Sequence, residues 1–151
     1  MGSDRKVTGF AGDLLAEHQE LMQKIVDVRK FWHDVDELGQ GPKCEELASR
    51  VAGIREHLSL HFEAEEKDGY LDPALSIAPR YAEEAALLRA EHATLLQSLD
   101  DLGKELQTGD SEHWDAACKR LEAFVMTLEH HEHRENGIMQ AAFNDDGGAG
   151  D

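Results

Sequence analysis

Leu58-Ser59-Leu60-His61-Phe62-Glu63-Ala64-Glu65 lines up with Leu128-Glu129-His130-His131-Glu132-His133-Arg134-Glu135 at an offset of 70 residues. Each stretch contains His-x-x-x-Glu. In an α-helix, positions i and i+4 sit one above the other, so each pair presents an imidazole and a carboxylate toward one point. A second duplication precedes each pair. Ala16-Glu17-His18-Gln19-Glu20-Leu21-Met22-Gln23 matches Ala90-Glu91-His92-Ala93-Thr94-Leu95-Leu96-Gln97 at an offset of 74. The chain thus reads as two helical hairpins, one supplying His18, His61 and Glu65, the other His92, His131 and Glu135. Two such sets form a cage of nitrogen and oxygen donors, which suits iron, manganese or zinc far better than a thiolate-seeking metal.

Apolar spacing extends the pattern into four helices. Leu14, Leu15, Leu21, Ile25, Val28 and Trp32 share a face with His18 and predict a first helix over residues 10–37. Gly39-Gln40-Gly41-Pro42 ends it, and Pro42 suits the first turn of a second helix over 43–67. Pro73 and Pro79 predict an irregular link with room for a short helical turn. A third helix follows over 81–107 and a fourth over 112–142, with Asp110 or Ser111 as its N-cap. Short links between amphipathic helices imply an all-α, antiparallel up-down four-helix bundle with the metal site in its core. The expected organisation is an N-terminal arm over 1–9, the bundle over 10–142 and a disordered tail over 143–151.

These residues and motifs resemble the hemerythrin-like, or HHE cation-binding, domain family. The resemblance covers roughly residues 10 to 142. It implies an antiparallel four-helix bundle around a non-haem di-iron centre. By motif position it assigns His18 to the first helix, His61 and Glu65 to the second, His92 to the third, and His131 and Glu135 to the fourth. The chain departs from the oxygen-carrying members in two places. They have an additional histidine one turn away on the third helix, where Leu88 and Leu96 flank His92. Their fourth-helix motif ends in a more widely spaced Asp, where this chain has Glu135.

Other chemistries find no support in the residues. The Glu-x-x-His of ferritin-like carboxylate proteins and the His-Glu-x-x-His of thermolysin-type enzymes are both missing from the sequence. A formal charge of −17 argues against nucleic-acid or anionic-membrane partners. The N-terminus lacks the apolar stretch of a signal peptide, and Cys44 and Cys118 suit a reducing compartment, so a cytoplasmic location is expected. His57 precedes His61 by one turn on the stripe that holds Glu65 and is expected as a fifth imidazole ligand, with a place behind or beside the site as the alternative. His33 with Glu37 repeats the spacing, but lies about 22 Å along the helix from His18 and is read as an exposed pair. His113, His130 and His133 are expected on outer faces. Trp32, Trp114, Phe31 and Phe124 are expected in the core or at its ends.

Counted against two octahedral irons, four imidazoles, two bridging glutamates and a bridging oxide or hydroxide leave two positions open, or one if His57 binds. The expected function is therefore binding or sensing of oxygen or a related small molecule, such as peroxide or nitric oxide. The alternative is an enzyme that decomposes peroxide or nitric oxide, or repairs iron centres by donating iron.

Overall fold

The structure, a computed structural model, describes residues 19–31 and 40–148. The helical residues 19–31 form α1, followed by α2 (Gln40–Asp68), α3 (Asp72–Ile77), a 3-10 turn (Pro79–Tyr81), α4 (Ala82–Leu106) and α5 (Ser111–Gly148). The protein is an all-α bundle whose long helices are α1, α2, α4 and α5. The expected first-helix positions Leu14, Leu15, His18, Trp32, His33 and Glu37 lie outside the described residues.

Side-chain pairs across the helices establish their directions. Arg55 bonds Asp100 at 2.9 Å while Glu66 meets His92 at 3.1 Å, so α2 and α4 run antiparallel. The Arg50 guanidinium lies 4.5 Å over Phe31, and His57 shares a pocket with Lys24, so α1 and α2 do likewise. Arg29 on α1 reaches Glu122 on α5 at 2.8 Å. Such half-exposed pairs contribute about 0–1 kcal/mol each, so they report register more than stability.

The turn after α2 is built at the edge of the site. Gly69 has φ 64°, and Tyr70 N–H donates to the Glu65 carbonyl at 3.0 Å. This is a Schellman-type cap, which favours glycine at the left-handed position. A Cβ on Gly69 would meet the Asp72 carboxylate, which would have to turn away, and the positive φ strains any L side chain there. The link that the two prolines mark as irregular contains α3, with Pro73 in its first turn. Ala74 and Ala78 of this segment are fully buried against Ile138 and Ala142 of α5.

The fourth long helix begins at a side-chain cap. Asp110 Oδ1 accepts from His113 N–H at 2.8 Å and from His113 Nδ1 at 2.6 Å. Those hydrogen bonds hold the Asp110 carboxyl below the usual carboxylate range, and the Asp110 partner raises His113 above the ordinary histidine value of 6.5. The Asp110 contribution is present above its unfolded pKa and fades as pH falls through the folded one. The His113 contribution is complete below pH 6.5 and fades as pH rises through its raised folded value. Asp110→Ala is therefore expected to lower Tm most at mildly acidic pH, with a smaller deficit in alkali. A deficit that grows steadily with pH would contradict this arrangement. At its other end, α5 continues to Gly148, past residue 143 where composition places the start of a disordered tail. Ala142 is anchored against α3, and each further helical residue adds a backbone hydrogen bond to a turn already formed.

Two apolar layers fill the bundle. The larger runs from Leu21, Ile25 and Val28 through Leu47, Val51, Ile54 and Leu58 to Leu95, Leu99, Leu121 and Leu128. The smaller joins Ala74, Ala85, Leu88, Ile138 and Ala142. Along α4 the buried stripe reads Leu88, His92, Leu95; along α5 it reads Leu128, His131, Glu135, Ile138. A polar layer, off-centre in the bundle, interrupts the apolar stripe at the same level on α2, α4 and α5.

Candidate metal centre

Three helices supply the polar layer. From α2 come His61 and Glu65, from α4 His92, and from α5 His131, Glu132 and Glu135; each is at most 7% exposed. The i, i+4 pairs meet as helix geometry requires: His61 Nε2 lies 2.8 Å from Glu65 Oε1, and His131 Nε2 lies 2.8 Å from Glu135 Oε1. Their ligand atoms form two groups, His61–Glu65–Glu132 and His92–His131–Glu135, each with all atoms within 4.8 Å of one another. Glu65 spans both, because its second oxygen is 3.5 Å from His92 Nε2. Glu135 Oε1 approaches the same nitrogen at 3.6 Å.

Of the candidate residues from the sequence, His61, Glu65, His92, His131 and Glu135 thus converge. His18 lies outside the described residues. His57 is half-buried and stands apart from both groups; it lines a cavity with Glu20, Lys24, Glu56, Leu60 and His61. His130 and His133 are exposed, His113 is engaged by Asp110, and Trp114 and Phe124 are buried in the core. Sequence reasoning passed over Glu132, although Glu132 and Glu135 stand three apart and so share a helix face.

The charges of this layer call for cations. Burial and the neighbouring Glu135 and Glu132 charges outweigh the His61 hydrogen bond and push Glu65 up. Burial would likewise raise Glu135, but the His131 and His92 imidazoles beside it prevail and hold it at about 2. For His61 and His131 burial opposes charging, yet the surrounding carboxylates raise both. Tyr70 is pushed up to about 12, first by burial and then by Glu135, Glu65 and Glu132. Charged groups removed from water are costly unless paired or metal-bound. His92 Nε2, His131 Nε2 and Glu135 Oε2 are buried without hydrogen-bond geometry to any partner, which is the condition of donors built for a metal.

The imidazoles are held from behind. Glu66 accepts from His92 Nδ1 at 3.1 Å, which places the proton on Nδ1 and leaves the Nε2 lone pair facing the layer. Glu91 stands 3.6 Å from His131 Nδ1 and is itself clamped by Arg134 at 2.8 Å. Phe62 stacks on His92 with ring centroids 3.8 Å apart and planes 3° from parallel, and meets His131 edge-on at 5.8 Å. Glu66→Ala removes the outer hydrogen bond while sparing the core. It is expected to weaken metal retention by roughly 10–100-fold with the fold intact. Competition with a coloured chelator measures this, and unchanged retention would remove the orienting role.

One cavity, of about 300 Å³, opens onto the layer between α2, α3 and α4. Tyr70, Leu71, Leu75 and Leu88 wall it, Glu66, Asp72 and Arg89 carry its charges, and His92, Glu65 and Glu135 also line it. A small molecule entering there would meet Nε2 of His92 before the more deeply set His61.

The donor set (imidazole nitrogens and carboxylate oxygens, no thiolate) suits a first-row cation such as iron, manganese or zinc. Comparison with known families agrees: the family model described as Hemerythrin HHE cation binding domain matches residues 10–143. Neither a curated protein nor a solved structure matches the chain.

Proposed function

We propose that this chain, which belongs to the hemerythrin HHE cation-binding domain family, is a non-haem di-iron protein that binds or senses oxygen or a related small molecule, such as peroxide or nitric oxide. The observation that carries this reading is Glu65, whose two oxygens reach His61 at 2.8 Å and His92 at 3.5 Å in separate donor groups. This position between the two groups supports a bridging role for Glu65. His61, Glu65, His92, His131 and Glu135 would hold the ions, with His18 as the further imidazole implied by the duplicated motif. When bound, iron supplies a redox-active centre that accepts a small ligand.

The chain's own residues do the rest. Glu66 and Phe62 orient His92, and the apolar layers on either side exclude bulk water. The cavity between α2, α3 and α4 is sized for small molecules. His57, which falls in neither donor group and shares a cavity with His61, supports a role beside the site more than a place among the donors. No described helix is long and apolar enough to cross a membrane. With free thiols at Cys44 and Cys118, a cytoplasmic location fits.

A peroxide-decomposing enzyme is the second reading, and Tyr70 favours it. Its phenol lines the cavity and stays protonated at neutral pH, so it can donate a hydrogen bond or a proton to a molecule held there. Optical spectra of the iron-loaded protein with oxygen, peroxide and nitric oxide separate the two. A reversible spectral change without net consumption of the added molecule supports binding. Repeated turnover of peroxide, reduced in Tyr70→Phe or His57→Ala, would replace that conclusion with the enzyme.

A further inference from the structure

We propose that Glu132 is a third carboxylate donor to the metal centre, serving the half built on His61 and Glu65, so that the carboxylates are shared unequally between its two halves. The inference rests on the dinuclear reading above and adds a donor to it. Glu132 is 7% exposed, and its Oε1 lies 3.9 Å from His61 Nε2. The ligand atoms of His61, Glu65 and Glu132 all fall within 4.8 Å of one another.

Helix geometry explains how one segment serves both groups. His131 and Glu135 stack at i, i+4, and Glu132 stands three residues before Glu135 on the same side of α5. His131 and Glu135 turn toward His92 of α4. Glu132, rotated about 100° from His131, turns toward His61 and Glu65 of α2. α5 thus contributes donors to both halves.

Charge gives the arrangement its reason. Glu65, Glu132 and Glu135 bring three carboxylates into one buried layer, and imidazoles are neutral when they ligate. A pair of cations offsets that charge. The His61 half then has one imidazole and two carboxylates among the described residues; the other half has two imidazoles and one carboxylate. Oxygen-rich sets favour the harder, more oxidised ion. The cavity between α2, α3 and α4 is lined by His92, Glu65 and Glu135, and the cavity beside His57 is lined by His61. Glu132 lines neither cavity, so its carboxylate is set within the layer rather than at an entrance.

The test uses the full chain loaded with iron-57 and read by Mössbauer spectroscopy, with elemental analysis and chelator competition. Wild type is expected to show two inequivalent iron environments of equal area. Glu132→Gln keeps the volume and is expected to alter one environment selectively and to weaken retention of that iron by roughly tenfold or more. Glu129→Gln, on the exposed side of α5, should change nothing. Two retained irons with an unchanged spectrum in Glu132→Gln would overturn the proposal while leaving the dinuclear reading intact. Equivalent irons in wild type would overturn it too, with no variant required. Wild type holding one iron or none would instead sink the dinuclear reading itself.

Discussion

His131→Ala is expected to lose most of its iron on desalting, while the metal-free protein still folds, with a lowered unfolding temperature. The split follows from where the imidazole sits. His131 is fully buried and its Nε2 lies 2.8 Å from Glu135 Oε1, so the metal-free fold loses one charged contact, whereas the loaded protein loses a donor to the metal. Its ring does fill space, and a cavity there has a cost, offset in part by relief of a buried polar group. A metal bond, by contrast, is lost outright, and the deficit should exceed the roughly 10–100-fold attached to an outer hydrogen bond. His113→Ala is the control, since that residue caps α5 far from the layer. Iron content and spectrum unchanged in His131→Ala would show that the assignment is wrong.

The second large effect is on stability. Phe62→Ala is expected to cost about 3–5 kcal/mol in urea denaturation of the metal-free protein, the range for deleting a buried aromatic ring. Phe62 is 2% exposed and belongs to the main core, and it is the face on which His92 lies. Since whole domains are stable by about 5–15 kcal/mol, the variant would stand near the folding threshold. Iron retention should fall as well, because His92 loses the wall that fixes its plane. A loss below about 1 kcal/mol would mean that the neighbouring side chains collapse into the space.

The parts of this molecule governed by local rules were legible from residue spacing. His61 with Glu65 and His131 with Glu135 meet because i and i+4 are neighbours on any helix, whatever the fold. Pro42 in the first turn of α2, Asp110 at the cap of α5, and the break around Pro73 and Pro79 are equally local. The apolar stripes predicted which faces turn inward, and the polar interruptions at His61, His92 and His131 placed the donor layer off-centre.

What stayed hidden depends on how helices approach one another. Glu132 neighbours a histidine in a run of charged and polar residues, and only the approach of α5 to α2 brings it to His61. Glu66 and Glu91 look like ordinary solvated acids beside ligand positions. They become supports because α4 and α5 place an imidazole Nδ1 within 3.1 Å of one and 3.6 Å of the other. The cavity has a similar origin. Its wall is α3, seated on α5 through Ala74 and Ala78, small residues whose role is invisible until a partner covers them.

The most direct test of the whole reading is the number of irons held by the wild-type chain. The protein would be stripped, reconstituted anaerobically with excess ferrous iron, desalted and analysed for iron against amino-acid content. Two donor groups bridged by Glu65 should retain two irons per chain. A reproducible value of one or fewer would contradict the dinuclear centre.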